Sequence, residues 1–194
     1  MNIVYGLRNV YYAKLNKQFT PDYADPVRIP GAVSLALKSE DNHEIANRSD
    51  ANPAIFLNSA HSYSGTLQFA DLPIQFRQDI LNEVVEDGTI CEPAESGTNE
   101  FALLFELQGN ARQRRYLFYR CRVWYPDIAA DTIKNNIDVK GDSLPILVLP
   151  PLWHDPTPYV KCYVENSPET ADIYNHWFDS VYLGGKINGK DNSD

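Results

Sequence analysis

Two adjoining apolar runs near the middle of the chain constrain its fold more than any other feature. The first is Phe101-Ala-Leu-Leu-Phe-Glu-Leu107, and the second is Arg115-Tyr-Leu-Phe-Tyr-Arg-Cys-Arg-Val-Trp-Tyr125. Both are rich in aromatic and branched side chains, which favour pleated strands. A short segment that contains Gly109 and Asn110 joins them. The pair is therefore predicted to form a long β-hairpin.

Alternation along the second run predicts two distinct faces. One face would carry Leu117, Tyr119, Cys121, Val123 and Tyr125, and the other Tyr116, Phe118, Arg120, Arg122 and Trp124. The face that mixes arginine with aromatic rings is typical of a surface that contacts another molecule. The alternative is a solvated face on which guanidinium groups lie over rings. The Cys121 side chain is expected to pack as a small apolar group.

The length of 194 residues fits one domain, and a hydrophobic fraction of 43% is enough for a core. Several further runs alternate or are rich in branched residues, which predicts a mainly β domain over residues 1–183. The predicted strands are residues 3–13, 33–38, 63–69, 142–150 and 159–164. The polar, glycine-rich residues 184–194 are expected to form a flexible tail.

The alternation of side chains along a strand predicts which residues point inward on three of these strands. The inward sets are Ile3, Tyr5, Leu7 and Tyr11 on the first, Val33, Leu35 and Leu37 on the second, and Tyr63, Leu67 and Phe69 on the third. Pro30-Gly31 predicts a bend or bulge just before the second of these strands.

Two helices are also predicted. The first begins at Asp71-Leu72-Pro73, which offers a capping side chain and an early proline, and ends at Glu86-Asp87-Gly88. Its apolar stripe would be Phe76, Ile80, Leu81, Val84 and Val85. A short final helix is expected after Ser167-Pro168. Its stripe would be Ala171, Tyr174, Trp177, Phe178 and Val181.

Charge and cysteine content limit the possible partners. The chain has 17 basic and 26 acidic residues, a net charge of −9, which opposes adhesive binding to nucleic acid. This charge is consistent with ordinary solubility, or with a surface that must face nucleic acid without binding it. No apolar run is long enough for a membrane span, and the beginning lacks a signal-peptide profile. The odd set Cys91, Cys121 and Cys162 indicates a reducing compartment and no disulfide framework.

Motifs for catalysis or cofactor binding are weak. Four scattered histidines lack metal-ligand spacing: His43, His61, His154 and His176. The stretch from Gly184 to Lys190 superficially matches a phosphate-binding loop, but Asp191 replaces the metal-binding hydroxyl. We therefore predict that the chain is not an enzyme and that it has no catalytic residue, no cofactor and no metal site.

The order of motifs resembles the major tail protein (tail tube subunit) family of long non-contractile-tailed phages of Gram-positive hosts. The segments that carry the resemblance run across nearly the whole chain. They are Val4-Tyr-Gly-Leu-Arg-Asn-Val-Tyr-Tyr-Ala13, Ile29-Pro-Gly-Ala-Val-Ser-Leu35, Tyr63-Ser-Gly-Thr-Leu67, Phe101-Ala-Leu-Leu-Phe-Glu106, Arg115-Tyr-Leu-Phe-Tyr119 and the closing Tyr174, Trp177, Phe178, Val181 and Tyr182. The residues from His43 to Phe56 and from Trp153 to Pro158 depart from the pattern.

This resemblance implies a β-sandwich or partly closed β-barrel with one flanking helix and a short C-terminal helix. Six copies would form a ring, and stacked rings would form the hollow tube that conducts DNA during infection by a siphovirus or from a prophage. The partners implied are other copies of the chain and tail assembly proteins such as the tape measure and the tail terminator. The DNA would pass without specific binding, and no membrane would be involved. The location implied is the virion, after assembly in the host cytoplasm.

Two expectations concern surfaces. Residues 40–59 and both termini are expected to make contacts between rings, and the central sheet, especially residues 101–107, to supply the ring interface or the channel wall. The alternative function is a carbohydrate-binding β-sandwich module. Its aromatic platform would be Trp124, Tyr125, Trp153 and Tyr159.

Overall fold

The structure is a computed structural model that describes residues 5–40, 61–95, 97–108, 113–126 and 141–184. Two short helices and eleven strands lie within these ranges. They are β1 (Tyr5–Lys17), β2 (Asp22–Tyr23), β3 (Val27–Arg28), β4 (Ala32–Glu40), β5 (Ser62–Phe69), α1 (Ile74–Asp79), β6 (Val84–Glu86), β7 (Thr89–Cys91), β8 (Phe101–Gln108), β9 (Arg114–Val123), β10 (Asp142–Val148), β11 (Lys161–Glu165) and α2 (Ala171–Asn175).

Nine of these strands form one antiparallel sheet in the order β2-β1-β8-β9-β10-β5-β4. Strand β11 pairs with the first half of β9, and β3 pairs with β1. The backbone N–H of Ile29 donates to the carbonyl of Val10 at 2.7 Å, which draws the chain before β4 toward β1. The sheet is therefore curled but not a closed barrel. The prediction of a mainly β fold with a flanking helix and a short C-terminal helix is confirmed.

The concave side of the sheet holds the first hydrophobic core cluster. Strand β8 contributes Phe101, Leu103 and Phe105, and β5 contributes Leu67 and Phe69. Helix α1 lies across one end of this cluster through Phe76, Ile80 and Leu81. The ring of Phe76 meets Tyr12, Phe69 and Phe101 with centroids 5.0 to 6.0 Å apart.

A second cluster lies on the opposite face of β1, β8 and β9. The strands supply Leu15, Ala102, Leu104, Leu117 and Tyr119, and the segment after β10 covers them. Its covering side chains are Trp153, Val164, Tyr174, Trp177 and Val181. Strand β8 is therefore buried on both faces, which explains why its sequence is continuously apolar and does not alternate.

The predicted hairpin is confirmed, but the predicted faces of its second strand are wrong. Strands β8 and β9 pair from Leu107 with Arg114 back to Phe101 with Cys121, and the register shifts by one residue before Cys121. This bulge moves Cys121 and Val123 onto the face of Phe118, in the first cluster, while Leu117 stays in the second. A bulge reverses the parity of every residue beyond it. The expectation that Cys121 packs as an apolar group is confirmed.

Bulges in β1 and β4 also make two other predicted inward faces wrong. In β1 a register shift between Arg8 and Tyr11 places Leu7 against the first cluster and Tyr11 against the second. In β4 a shift between Ala32 and Ser34 leaves Val33 61% exposed, not inward. The predicted bend before β4 is confirmed, since Gly31 has a φ of +82°. The inward set on β5 is confirmed, with Leu67 and Phe69 buried, whereas Ile3 lies outside the described residues.

The first predicted helix is much shorter than expected. It covers Ile74–Asp79, Pro73 precedes it, and no side chain caps it. Val84 and Val85 of the predicted stripe instead lie in β6, which forms with β7 a hairpin that turns at Asp87 (φ +50°) and Gly88 (φ +77°). Two consecutive residues with positive φ are the requirement of a tight hairpin turn, and Asp-Gly satisfies it.

Helix α2 begins at Ala171, after Thr170, and not at Ser167-Pro168. It ends at Asn175, so Trp177 and Val181 of the predicted stripe lie beyond the helix although both are buried in the second cluster. The predicted tail lies outside the described residues except for Gly184.

Candidate functional site

The buried carboxylates are engaged in ion pairs that support the fold. Glu100 pairs with Arg120 at 2.7 Å, Glu106 with Arg115 at 3.2 Å and Glu83 with Arg77 at 3.2 Å. A general acid or base would need a proton acceptor or donor aimed at an open cavity. These three glutamates instead face an arginine on a neighbouring strand, turn or helix, so they act as structural groups.

Burial also keeps several hydroxyl and thiol groups protonated. It raises the pKa of Tyr23 and Tyr119, and that of the Cys121 thiol, well above their usual ranges. The pKa of Tyr12 is raised by burial and by its hydrogen bond to Asp79. A nucleophile needs the opposite shift. These side chains therefore serve packing and hydrogen bonding.

Within the described ranges, no group of His, Cys, Asp and Glu has the arrangement of a metal site. The helices of those ranges include none long and apolar enough to cross a membrane.

The described residues line an open groove of about 520 Å³, here called the seam groove. It runs along β4, in the gap that remains between β4 and the first residues of β1 in the curled sheet. One wall carries Val33, Leu35 and Leu37 from β4. The floor and opposite wall are formed by Leu7, Phe105, Leu107, Tyr116 and Phe118.

Aromatic rings form the floor of the seam groove as a continuous series. Phe105 stacks on Tyr116 with centroids 5.3 Å apart and an interplanar angle of 10°. Phe118 lies 5.9 Å from Phe105 and 5.5 Å from Tyr63. The floor is therefore stiff, because each ring is held by the next.

A cationic group stands on the rim of the seam groove. The ammonium of Lys161 donates to the hydroxyl of Tyr63 at 3.0 Å and lies 5.0 Å from the centre of that ring. The Nε2 atom of His61 is also 3.0 Å from the Tyr63 hydroxyl. Arg8 and Arg28, both exposed, line a second small depression that begins at Leu7. An apolar floor with positive groups beside it is suited to an apolar element that carries negative charge.

The predicted face of arginines and rings is divided by the fold. Tyr116 and Phe118 pack at the first cluster, and Arg120, with 12% of its side chain exposed, pairs with Glu100. Arg122 and Trp124 are exposed. The face expected from alternation is therefore partly interior, and exposed rings also occur at Tyr159 and Tyr163, two positions before and two after Lys161 in the sequence.

The four aromatic residues considered for a sugar platform do not share one face. Trp153 is buried in the second cluster, whereas Tyr125 packs against the first and donates its hydroxyl to the Leu81 carbonyl at 2.8 Å. The sheet lies between these two clusters. Trp124 and Tyr159 are exposed but have no described ring contact with each other.

The outer face of β4, β5 and β10 has a different character. It presents short side chains, and its hydroxyls bond to neighbours: Ser34 donates to Gln68 at 2.7 Å and Ser64 to Glu40 at 2.6 Å. Thr66 lies between them in register with Ala36 and Pro145. This face, here called the hydroxyl face, offers little positive charge and no large ring.

One expectation about surfaces is wrong for β8 and stays a prediction for the rest of the central sheet, and another falls outside the described residues. Strand β8 cannot supply an interface or a channel wall, because both its edges are paired and residues Phe101 to Phe105 are buried. The expected contacts by residues 41–59 and by the chain ends lie outside the described residues. The seam groove was not predicted, because it unites residues that are up to about 150 positions apart in the sequence.

Comparison of the chain with protein-family models, curated proteins and solved structures found no significant match.

Proposed function

We propose that this chain is the structural subunit of a phage tail tube, which polymerises as stacked rings into a hollow conduit for DNA. One observation carries the proposal: the segments that resemble that family make up the framework of a single curled sheet. They fall on β1, on β4 and the turn before it, and on β5, β8 and β9, and the closing aromatic segment covers the second cluster.

The form of the sheet supports assembly by surfaces. Strand β4 is nine residues long and, among the strands of the described residues, ends the sheet, pairing with β5 on one side. A long terminal strand presents backbone donors and acceptors to another chain unless something covers it. Copies of the chain arranged in a ring would cover this edge, so the edge would serve as an assembly surface.

The charges support a conduit that does not retain DNA. The net charge of −9 repels phosphate, and the hydroxyl face is an available lining of mostly uncharged side chains, with Lys38 and Glu40 as charged members of opposite sign. We assign this face to the channel. DNA in such a channel would find few cations with which to replace its counterions.

The proposal is tested by concentrating the purified chain, alone and with tail assembly proteins, and following its size by sedimentation velocity and negative-stain electron microscopy. Rings or tubes of uniform width are the expected result. A chain that stays strictly monomeric at millimolar concentration with its assembly partners present would overturn the proposal.

A further inference from the structure

The β6–β7 hairpin is a projecting element with exposed apolar side chains. It forms a two-stranded sheet of its own, and Val84 and Ile90 are each 43% exposed. Isolated two-stranded hairpins are only marginally stable in water. Solvent-facing apolar residues on such an element indicate a surface that becomes covered when the protein binds something.

The hairpin also lies in a strongly acidic segment of the chain. From Leu81 to Glu100 there are six acidic residues and no basic one. Glu86, Asp87 and Glu92, on the hairpin and directly after it, are exposed. Val84 lies directly opposite the exposed Cys91 and shares its face with Glu86, so this face of the hairpin joins apolar side chains to an acidic one. It is the complement of the seam groove, which has an apolar floor and Lys161 on its rim.

The hairpin and the floor of the seam groove lie toward different ends of the molecule. The base of the hairpin is fixed near Phe101, where Asn82 and Asn99 bond at 2.6 Å and Ile80 accepts from the Asn99 backbone. The groove floor includes Leu107 at the other end of β8. Six residues of strand separate Phe101 from Leu107, a distance of roughly 20 Å. The groove lining includes no hairpin residue, so the hairpin does not occupy the groove of its own chain.

We propose that the β6–β7 hairpin of one copy docks in the seam groove of the next copy, with Val84 and Cys91 on the aromatic floor and Glu86 beside Lys161. Complementary surfaces at different ends of one chain make a head-to-tail contact that continues from copy to copy. The inference rests on the proposed tube function, since it names the surfaces by which the subunit would join its neighbour.

The chain offers a direct test by cross-linking. Cys91 is exposed on the hairpin opposite Val84, and Val33 is exposed in the seam groove. The Val33→Cys variant, oxidised with diamide under assembly conditions, should give a ladder of disulfide-linked chains on a non-reducing gel. A second change, Cys91→Ser, should abolish the ladder. Thr20→Cys, which places a thiol in the exposed turn after β1, is the matched control and should give no ladder.

A charge exchange provides a second readout on the same surfaces. Lys161→Glu should raise the concentration at which assembly begins by at least about tenfold, because two like charges would then face each other. Adding Glu86→Lys to that variant should lower the concentration at which assembly begins most of the way back to that of the original chain.

The outcomes separate the two proposals. Tubes that form normally but give no ladder, and that ignore Lys161→Glu, would overturn the docking while leaving the tube function standing. A chain that neither assembles nor cross-links in the presence of its assembly partners would overturn both.

Discussion

Arg120 and Glu100 form a two-pronged ion pair within the sheet, with the Nη2 and Nε atoms of the guanidinium 2.7 and 2.8 Å from the two carboxylate oxygens. Arg120 occupies the bulge of β9, and Glu100 immediately precedes β8. A third donor of Arg120 bonds to the Pro150 carbonyl at 3.0 Å. The pair thus fixes the bulge that reverses the faces of β9 and ties it to the segment that covers the second cluster.

Replacing only one member of this ion pair should lower the free energy of unfolding more than replacing both members. Glu100→Ala would leave the guanidinium without its charged partner in a site that is 12% exposed, and should lower the free energy of unfolding by about 3–5 kcal/mol. The double variant Glu100→Leu/Arg120→Met should recover much of that loss, because no buried charge remains. Urea denaturation measures both, with exposed Glu92→Ala as the control. Equal losses in the single and double variants would contradict this account of the pair.

Gly65 allows β4 and β5 to approach closely. A Cβ atom at this position would lie 1.8 Å from the Ala36 carbonyl oxygen and 2.8 Å from its carbonyl carbon. Gly65→Ala should therefore push β4 away and destabilise the protein by about 1–3 kcal/mol. Gly97→Ala is the control, because its nearest neighbour would be 3.7 Å away. Similar melting temperatures for the two variants would show that the strands do not approach as described.

High pH should destabilise the protein through its buried tyrosines and Cys121. Burial raises the folded-state pKa of Tyr23, Tyr119 and Cys121, so the folded chain holds protons that the unfolded chain releases. Their contribution is fully present below the unfolded pKa, near 9 to 10, and is lost as pH rises above it. Each group should contribute a slope of about 1.4 kcal/mol per pH unit.

The measurement is the free energy of unfolding in urea from pH 8 to pH 11. Tyr23→Phe should make the decline at the alkaline end shallower by the equivalent of one proton. Since this variant also loses a hydrogen bond to the Tyr119 carbonyl, the slope and not the absolute stability is the test. A slope identical to that of the original chain would show that the Tyr23 hydroxyl ionises freely in the folded state.

If the hydroxyl face lines the channel, added cations there should retain DNA. Thr66→Arg places one guanidinium per subunit on that face. Assembled tubes of this variant should bind short duplex DNA at low salt and release it as salt rises, because phosphate binding displaces counterions. Thr20→Arg, in the exposed turn after β1, is the control. Equal binding by the two variants would place the hydroxyl face elsewhere in the assembly.

The sequence predicts the strands well because their signals are local. The runs at 101–107 and 115–125 contain enough branched and aromatic residues to indicate a hairpin without knowledge of the rest of the chain. Alternation fails where a bulge intervenes, as between Phe118 and Cys121. The position of a bulge depends on how the partner strand fits, which a single run of residues does not encode.

The helix error has a different cause. Phe76 and Ile80 do lie on one face against the core, but Val84 continues their spacing only by coincidence. Asp87-Gly88 between branched residues was the signal for a hairpin, and it outweighs the helical period because only a few residues adopt positive φ easily. The seam groove had no local signal, since its lining comes from six strands: β1, β4, β5, β8, β9 and β11.

The most direct test of the central claim is a reconstruction of the assembled chain by electron cryomicroscopy. The account predicts a hollow tube with β4, β5 and β10 facing the channel and the β6–β7 hairpin of each copy in the seam groove of its neighbour. A solid fibre, or a tube whose channel is lined by the segment after β10, would contradict it.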